Sequence, residues 1–205
     1  MGKRGLLIVI SGPSGAGKGT VCQEYLKNHP ETLLSVSMTT RSPRRGEKDG
    51  VNYFFTDVPA FERLIKKGGF LEYAKVYDNY YGTPKSFVEE NLMAGRDLIL
   101  EIDIQGALKV KEQYAEGVFI FIMPPTMEEL KRRIQGRGTE TQEELLKRFE
   151  SSFQEVNYIS HYNYLVINDN VEETAKRIEA IVIAEKCRVE RNKDFYNQVT
   201  GRYRK

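Results

Sequence analysis

The string "GPSGAGKGT", Gly12 to Thr20, follows directly on the apolar run "LLIVI", Leu6 to Ile10. Gly12-x-x-x-x-Gly17-Lys18 between a strand and a helix is the pattern of a phosphate-binding loop. Its glycines let the chain turn tightly enough that successive backbone N–H groups point inward, and the following helix adds the partial positive charge of its N-terminus. Gly12, Pro13, Ser14, Gly15, Ala16, Gly17, Lys18, Gly19 and Thr20 are therefore expected to wrap a nucleotide's phosphates, with Lys18 reaching the β- and γ-phosphates. One position departs from the usual pattern: Gly19 stands where such loops carry the Ser or Thr that ligates magnesium. Thr20, one position on, is expected to meet a phosphate oxygen or to act through water. The ion would then be held chiefly by phosphates and ordered water, which suits magnesium's reluctance to lose its hydration shell.

A loop of this kind needs a parallel sheet around it, and the chain supplies one. "LLIVI" 6–10, "DLILEIDI" 97–104, "VFIFIM" 118–123 and "YLVIN" 164–168 are short, β-branched and not alternating, as strands covered on both faces must be. Helical patterns lie between them: Gly19 to Asn28, "TPKSFVEENLMAG" up to Gly95, and the segment from Val171 onward. The expectation is a doubly wound α/β domain. Two segments interrupt it. From Leu33 to Tyr81 short strands ("LLSVS", "NYFF", "FLEYAKVY") surround one helix near Asp57 to Lys67, a small β-rich insertion. At 124–149, Thr126 with Glu129 and Thr141 with Glu144 read as capping boxes, so two helices are expected to flank "GRGTE" as a lid.

The 205 residues carry a net charge of only +2, which gives no sign of a nucleic-acid binder. No apolar run approaches the ~18 residues that span a bilayer. Cys22 and Cys187 lack metal-site spacing and read as free thiols of a reducing compartment, so the protein is expected in the cytoplasm. Glu101 and Asp103 in "LILEIDIQG" alternate along a strand and share a face. Asp103 is the better placed to orient magnesium-bound water or an acceptor group. In the insertion, Arg41, Arg44 and Arg45 crowd one loop, where planar guanidinium groups suit a phosphate dianion, and Tyr53 and Tyr81 carry hydroxyls that could complete its shell.

With these pieces in place the chain resembles the guanylate kinases. The matching strings are "GPSGAGKGT", S-x-T-T-R-S-P-R-x-G-E at 37–47, "FLEYA" at 70–74 and "NYYGT" at 79–83, then "EIDIQG" at 101–106, "RIQGRGTET" at 133–141 and "VIND" at 166–169. They cover almost the whole chain in order. The resemblance implies a P-loop core domain (1–34, 84–125 and 150–205), a GMP-binding domain (35–83) and a lid (126–149) that close together. It implies that Arg41, Arg44, Tyr53 and Tyr81 hold the phosphate of GMP. Ser37, Glu72 and Thr83 would read its guanine, with Glu101 and Asp103 nearby. Arg133 and Arg137 from the lid, with Arg148 beyond it, would close on the transferring phosphoryl group, assisted by Lys18, Arg41 and Asp103. Asn168 would lie near the adenine of ATP. ATP with Mg2+ is the implied cofactor, Thr20 and Asp103 are candidate metal contacts, and a monomer or homodimer is expected.

The chemistry of the residues agrees with that reading. Guanine offers two adjacent donors, N1–H and its exocyclic amine, and one carboxylate such as Glu72 can accept both, whereas adenine would leave it unpaired. Phosphoryl transfer asks for positioning and charge neutralisation, and the GMP phosphate is itself an ionised nucleophile, so no strong base is required. Arg133 and Arg137 stand four apart, on one helix face. Two other readings stay open at this point: a non-catalytic guanylate-kinase-like module that binds protein partners, and a different nucleoside monophosphate kinase on the same core.

Overall fold

The computed structural model describes residues 4–76, 78–135 and 142–201, and of 142–148 the backbone alone. Its centre is a five-stranded sheet, every neighbouring pair parallel, in the order β2 (Leu33–Leu34), β7 (Leu98–Glu101), β1 (Leu7–Ser11), β8 (Val118–Met123), β9 (Tyr164–Ile167). The unbroken apolar runs are explained by the two cores that β1 separates. Ile8 and Ile10 pack under α1 (Lys18–Asn28) and α7 (Val171–Lys186) with Val21, Tyr25, Ile178 and Val182. Leu7 and Val9 face Val88 and Leu92 of α3 (Lys85–Met93) and Val110 of α4 (Ile104–Gln113). Each residue of a central strand thus meets a covered face.

A second sheet, in the order β4 (Phe54–Phe55), β3 (Met38–Thr39), β6 (Asn79–Pro84), β5 (Phe70–Val76), forms the insertion with α2 (Val58–Lys66). Asp57 caps α2 by accepting from the Ala60 N–H at 2.6 Å, and Pro59 falls in the first turn. The helix is pinned by Phe61, fully buried and stacked on both Phe70 (4.3 Å between centroids) and Tyr80 (5.2 Å). Phe61→Ala is expected to cost about 3–5 kcal/mol, read as a lower urea midpoint; an unchanged midpoint would mean the stack carries no load.

Several boundaries differ from the sequence-based expectation. Leu33–Leu34 is not a strand of the insertion but the edge of the central sheet, with Leu33 N–H on Asp97 O (2.9 Å) and Ser35 N–H on Ile99 O (2.8 Å). β7 stops at Glu101 rather than running to Ile104, because Asp103 caps a helix there, its Oδ1 accepting from the Gly106 N–H at 2.7 Å. That helix, α4, is not among the helical patterns the sequence predicts. Thr83 and Pro84 end a strand, β6, that pairs antiparallel with β5, so the following helix starts at Lys85. The chain closes with a further short helix, α8 (Lys193–Val199). Helices α5 (Met127–Gln135) and α6 (Gln142–Glu155) lie where the lid was expected, and Thr126 Oγ1 accepts from the Glu129 N–H at 3.1 Å. The "GRGT" string between them in sequence, with Arg137 and Thr141, lies outside the described residues, and so does the side chain of Arg148.

Candidate active site

β1 delivers the phosphate loop at its C-terminal end, and the loop's conformation requires glycine at three points. Gly12, Gly15 and Gly17 have φ of 145°, 87° and 88°. At Gly12 a Cβ would stand 2.1 Å from the Ile122 carbonyl oxygen of β8, so the loop leaves the sheet through a gap only glycine fits. Gly17 occupies the N-cap of α1, and a Cβ there would meet Asn168 Nδ2 at 2.5 Å. Lys18, first residue of α1, folds back over the loop, its Nζ donating to Gly12 O (2.7 Å) and Pro13 O (3.2 Å). Burial pushes its pKa down, against the pull of Glu101, Glu155 and Asp103.

Gly19 now has a physical account. A Cβ on it would lie 3.3 and 3.4 Å from the two carboxylate oxygens of Glu101. The side-chain oxygens at this corner of the loop therefore come from the end of β7, not from the residue after the lysine. The carboxyl of Glu101 is raised, chiefly by desolvation and in spite of Lys18. Thr20 is exposed in the first turn of α1. Carboxylate oxygens at Glu101 and Asp103 are the hard donors a magnesium ion or its water shell accepts, though no group of three or more such residues is drawn together among the described residues.

The far side of the loop is held from the end of β9 and from α5. Asn168 is buried, its amide donating to Ala16 O at 2.8 Å and accepting from Thr174 Oγ1 at 3.2 Å. Arg133 is anchored by Glu129 (2.7 Å) and donates to Asn168 O (3.0 Å) and, more loosely, to Ala16 O (3.4 Å). Arg132 and Arg133 together hold the Glu129 carboxyl down at about 2. The arrangement places Arg133 against the loop's backbone. It also shows Asn168 spent on supporting that backbone.

The insertion gathers the other candidates. Thr83 is buried and donates its hydroxyl to Glu72 Oε1 at 2.6 Å. Glu72 itself is raised by burial and by Asp103, against the Thr83 hydrogen bonds and Lys109. A Cβ on Gly106 would approach Glu72 Oε2 to 3.4 Å, so the start of α4 leaves that carboxylate its room. Arg41 lies over Tyr53 (5.4 Å from guanidinium carbon to centroid) and Phe55 (5.9 Å), with Tyr81 edge-on to Tyr53 at 6.0 Å. Its charge is met by Glu47, whose Oε1 accepts from Arg41 Nη2 at 2.9 Å and whose Oε2 accepts from the Arg44 N–H at 2.7 Å. Arg44 and Arg45 are exposed, and Ser37 is half-buried with its carbonyl on the Phe54 N–H at 2.9 Å.

The chain matches the guanylate kinase family model over residues 4–185. It is 62% identical over 197 residues to a guanylate kinase of Caldanaerobacter subterraneus subsp. tengcongensis, covering 96% of each chain. The protein belongs to the guanylate kinase family. A Clostridium tetani guanylate kinase is likewise 62% identical, over 94% of this chain and 92% of its own. Among solved structures, a guanylate kinase from Anaplasma phagocytophilum superposes with a TM-score of 0.72 at 38% identity, over 92% of this chain and 90% of that one. No helix among the described residues is long and apolar enough to cross a membrane.

Two residues of this guanylate kinase site had no role in the sequence reading. Glu47 closes the S-x-T-T-R-S-P-R-x-G-E string at 37–47, but nothing in that string says it will be the counter-charge of Arg41. Glu155, at the end of α6, has a carboxyl raised chiefly by desolvation and drawn by the charge of Lys18 in the phosphate loop. It stands far from the loop along the chain, so no local signature reveals it.

Proposed function

We propose that the chain transfers the γ-phosphoryl group of ATP to GMP, giving ADP and GDP, with Mg2+, in purine nucleotide metabolism in the cytoplasm. The observation that carries the acceptor assignment is the Glu72–Thr83 pair, a half-buried carboxylate held at 2.6 Å by a buried hydroxyl beside Asp103. Such a carboxylate favours a base with two adjacent donors and penalises one without them. In this reading residues 35–83 are the GMP-binding unit, 126–149 the lid, and the remainder the core.

Arg41, Arg44, Tyr53 and Tyr81 hold the GMP phosphate, and Ser37, Glu72 and Thr83 its base, with Glu101 and Asp103 at the border of the two sites. The loop Gly12–Thr20 holds ATP, with Asn168 supporting it. A GMP phosphate oxygen attacks the γ-phosphorus, the bond to the β–γ bridging oxygen breaks, and ADP leaves with those electrons. Lys18 neutralises charge growing on the transferred group, and Arg133, Arg137 and Arg148 add to it as the lid closes. When bound, magnesium would supply further neutralisation of the phosphate oxygens; Glu101 and Asp103, with Thr20 a further candidate, would hold it through water. Closure excludes water, which would otherwise be the competing acceptor.

The test is an acceptor panel with ATP and magnesium. GMP is expected to yield ADP and GDP, with AMP, CMP and dTMP poor acceptors. Equal turnover of AMP would overturn the guanine assignment, and ATP binding without any transfer would return the chain to the class of non-catalytic binding modules.

A further inference from the structure

Strand β5 breaks its ladder at the point where it carries the carboxylate of the acceptor site. Phe70 pairs with Pro84 and Glu72 with Thr83, so Leu71 is an extra residue with no partner in the register, a β-bulge. In a regular strand successive side chains point to opposite faces. Here Leu71 and Glu72 both turn toward α4. Leu71 is buried in the core cluster that holds Ala107 and Val110, and a Cβ on Gly106 would lie 3.4 Å from Glu72 Cγ. The bulge therefore re-aims the carboxylate, and it leaves backbone groups that need a partner from outside the ladder.

That partner comes from α4. Gln113 Nε2 donates to Leu71 O at 2.8 Å. Lys109 Nζ donates to Tyr73 O at 3.1 Å and lies over the Tyr73 ring, 5.7 Å from its centroid. The two side chains stand four apart on one face of the helix, and they take the carbonyls on either side of Glu72. The same helix begins at its cap, Asp103, the other carboxylate of the acceptor site. We infer that Gln113 is a positioning residue for guanine recognition: with Lys109 it fixes the bulge of β5 to α4, and so sets where Glu72 stands relative to Asp103. The inference rests on the phosphotransferase reading above and adds to it the residue that tunes acceptor choice. Gln113 and Lys109 are exposed residues, so either bond can be removed without emptying a packed site.

Gln113→Met keeps the reach of the side chain and removes its donor. Kd for GMP by titration calorimetry, and KM for GMP, are both expected to rise about tenfold, the equivalent of one hydrogen bond whose loss leaves a carbonyl unpaired. The preference for GMP over AMP, as a ratio of kcat/KM, is expected to fall by a similar factor, while KM for ATP moves less than about twofold. Gln113→Lys returns a donor of the kind that Lys109 already uses one turn away, and is expected to restore GMP affinity to within about threefold of the parent. In a Glu72→Gln background, Gln113→Met is expected to lower the preference by less than about twofold more, because the carboxylate that it positions is gone.

Unchanged GMP affinity in Gln113→Met would overturn the positioning role. So would an equal rise in KM for ATP, a Gln113→Lys no better than the methionine variant, or the whole loss of preference repeated in the Glu72→Gln background. Those outcomes are distinct from failure of the phosphotransferase reading itself, which would appear as an unmutated chain that makes no GDP. In that event the calorimetric Kd for GMP still reads the brace.

Discussion

Lys18→Ala is expected to lower turnover by about 10²–10³-fold with any acceptor, the size of loss seen when one preorganised group facing transition-state charge is removed. Two observations set this expectation. Lys18 Nζ already lies on the loop, donating to Gly12 O at 2.7 Å and Pro13 O at 3.2 Å, so phosphate oxygens entering the loop meet it without a large search. Its charge is also drawn by Glu101, Glu155 and Asp103. Alanine therefore removes an attraction for the polyanion and the cation that offsets the nearby carboxylates, so KM for ATP should rise together with the fall in kcat. ADP formation in a coupled assay reads both quantities, and a retained cooperative thermal transition shows that the loop's loss is chemical. Full turnover in this variant would mean that phosphate charge is neutralised elsewhere, by the lid arginines alone.

Glu72→Gln should compress the preference for GMP over AMP, as a ratio of kcat/KM, by about 100-fold or more. Glutamine preserves the acceptor for the Thr83 hydroxyl but presents an amide N–H₂ where guanine needs a second acceptor, so a donor would meet a donor. The same substitution should stabilise the nucleotide-free protein. The Glu72 carboxyl is raised above its ordinary value by burial. The folded chain thus binds that proton more tightly than the unfolded chain does. The group's contribution to stability is greatest below the unfolded pKa and is lost as pH rises through the folded one. At neutral pH the buried charge is a burden that glutamine removes, worth about 2–4 °C of melting temperature for each kcal/mol recovered. Lowering the pH toward the carboxylate range should narrow the gap between variant and parent. A variant that melts lower at pH 7 while keeping its selectivity would contradict both halves of this account.

How far the sequence could be read depended on the range of each interaction. The phosphate loop, the central strands and α1 are local: a run of β-branched residues, a glycine pattern and a lysine are adjacent in the chain. β2 was assigned to the wrong sheet because two leucines do not say which neighbour their N–H groups will find; Asp97 and Ile99 supply it from more than sixty positions away. α4 does carry a local signal. Asp103 before an apolar spacing of Ile104, Ala107 and Val110 is a helix start, but the same aspartate had been read only as a site carboxylate. It is in fact committed to the Gly106 N–H through one oxygen. At the site, the arginines and tyrosines of the insertion announced themselves by clustering. Glu47 and Glu155 did not, since a lone glutamate carries no pattern, and what they do is defined by partners that the fold brings to them.

The pairing of Arg41 with Glu47 means that the insertion is an exchange resin with its counter-ion covalently attached. The tethered carboxylate already makes two charge-assisted hydrogen bonds, to Arg41 and to the Arg44 N–H, so a simple monoanion that cannot reproduce both gains little by replacing it. An incoming group must bring a second negative charge, or oxygens enough to engage Arg44, Tyr53 and Tyr81 as well, before the exchange runs downhill. The discharged glutamate then has only water or the Arg44 N–H as partner, which draws it straight back when the occupant leaves. If Arg41 holds the acceptor's phosphate as proposed, selection against small anions and ready release of the occupant are both expected from the same tether.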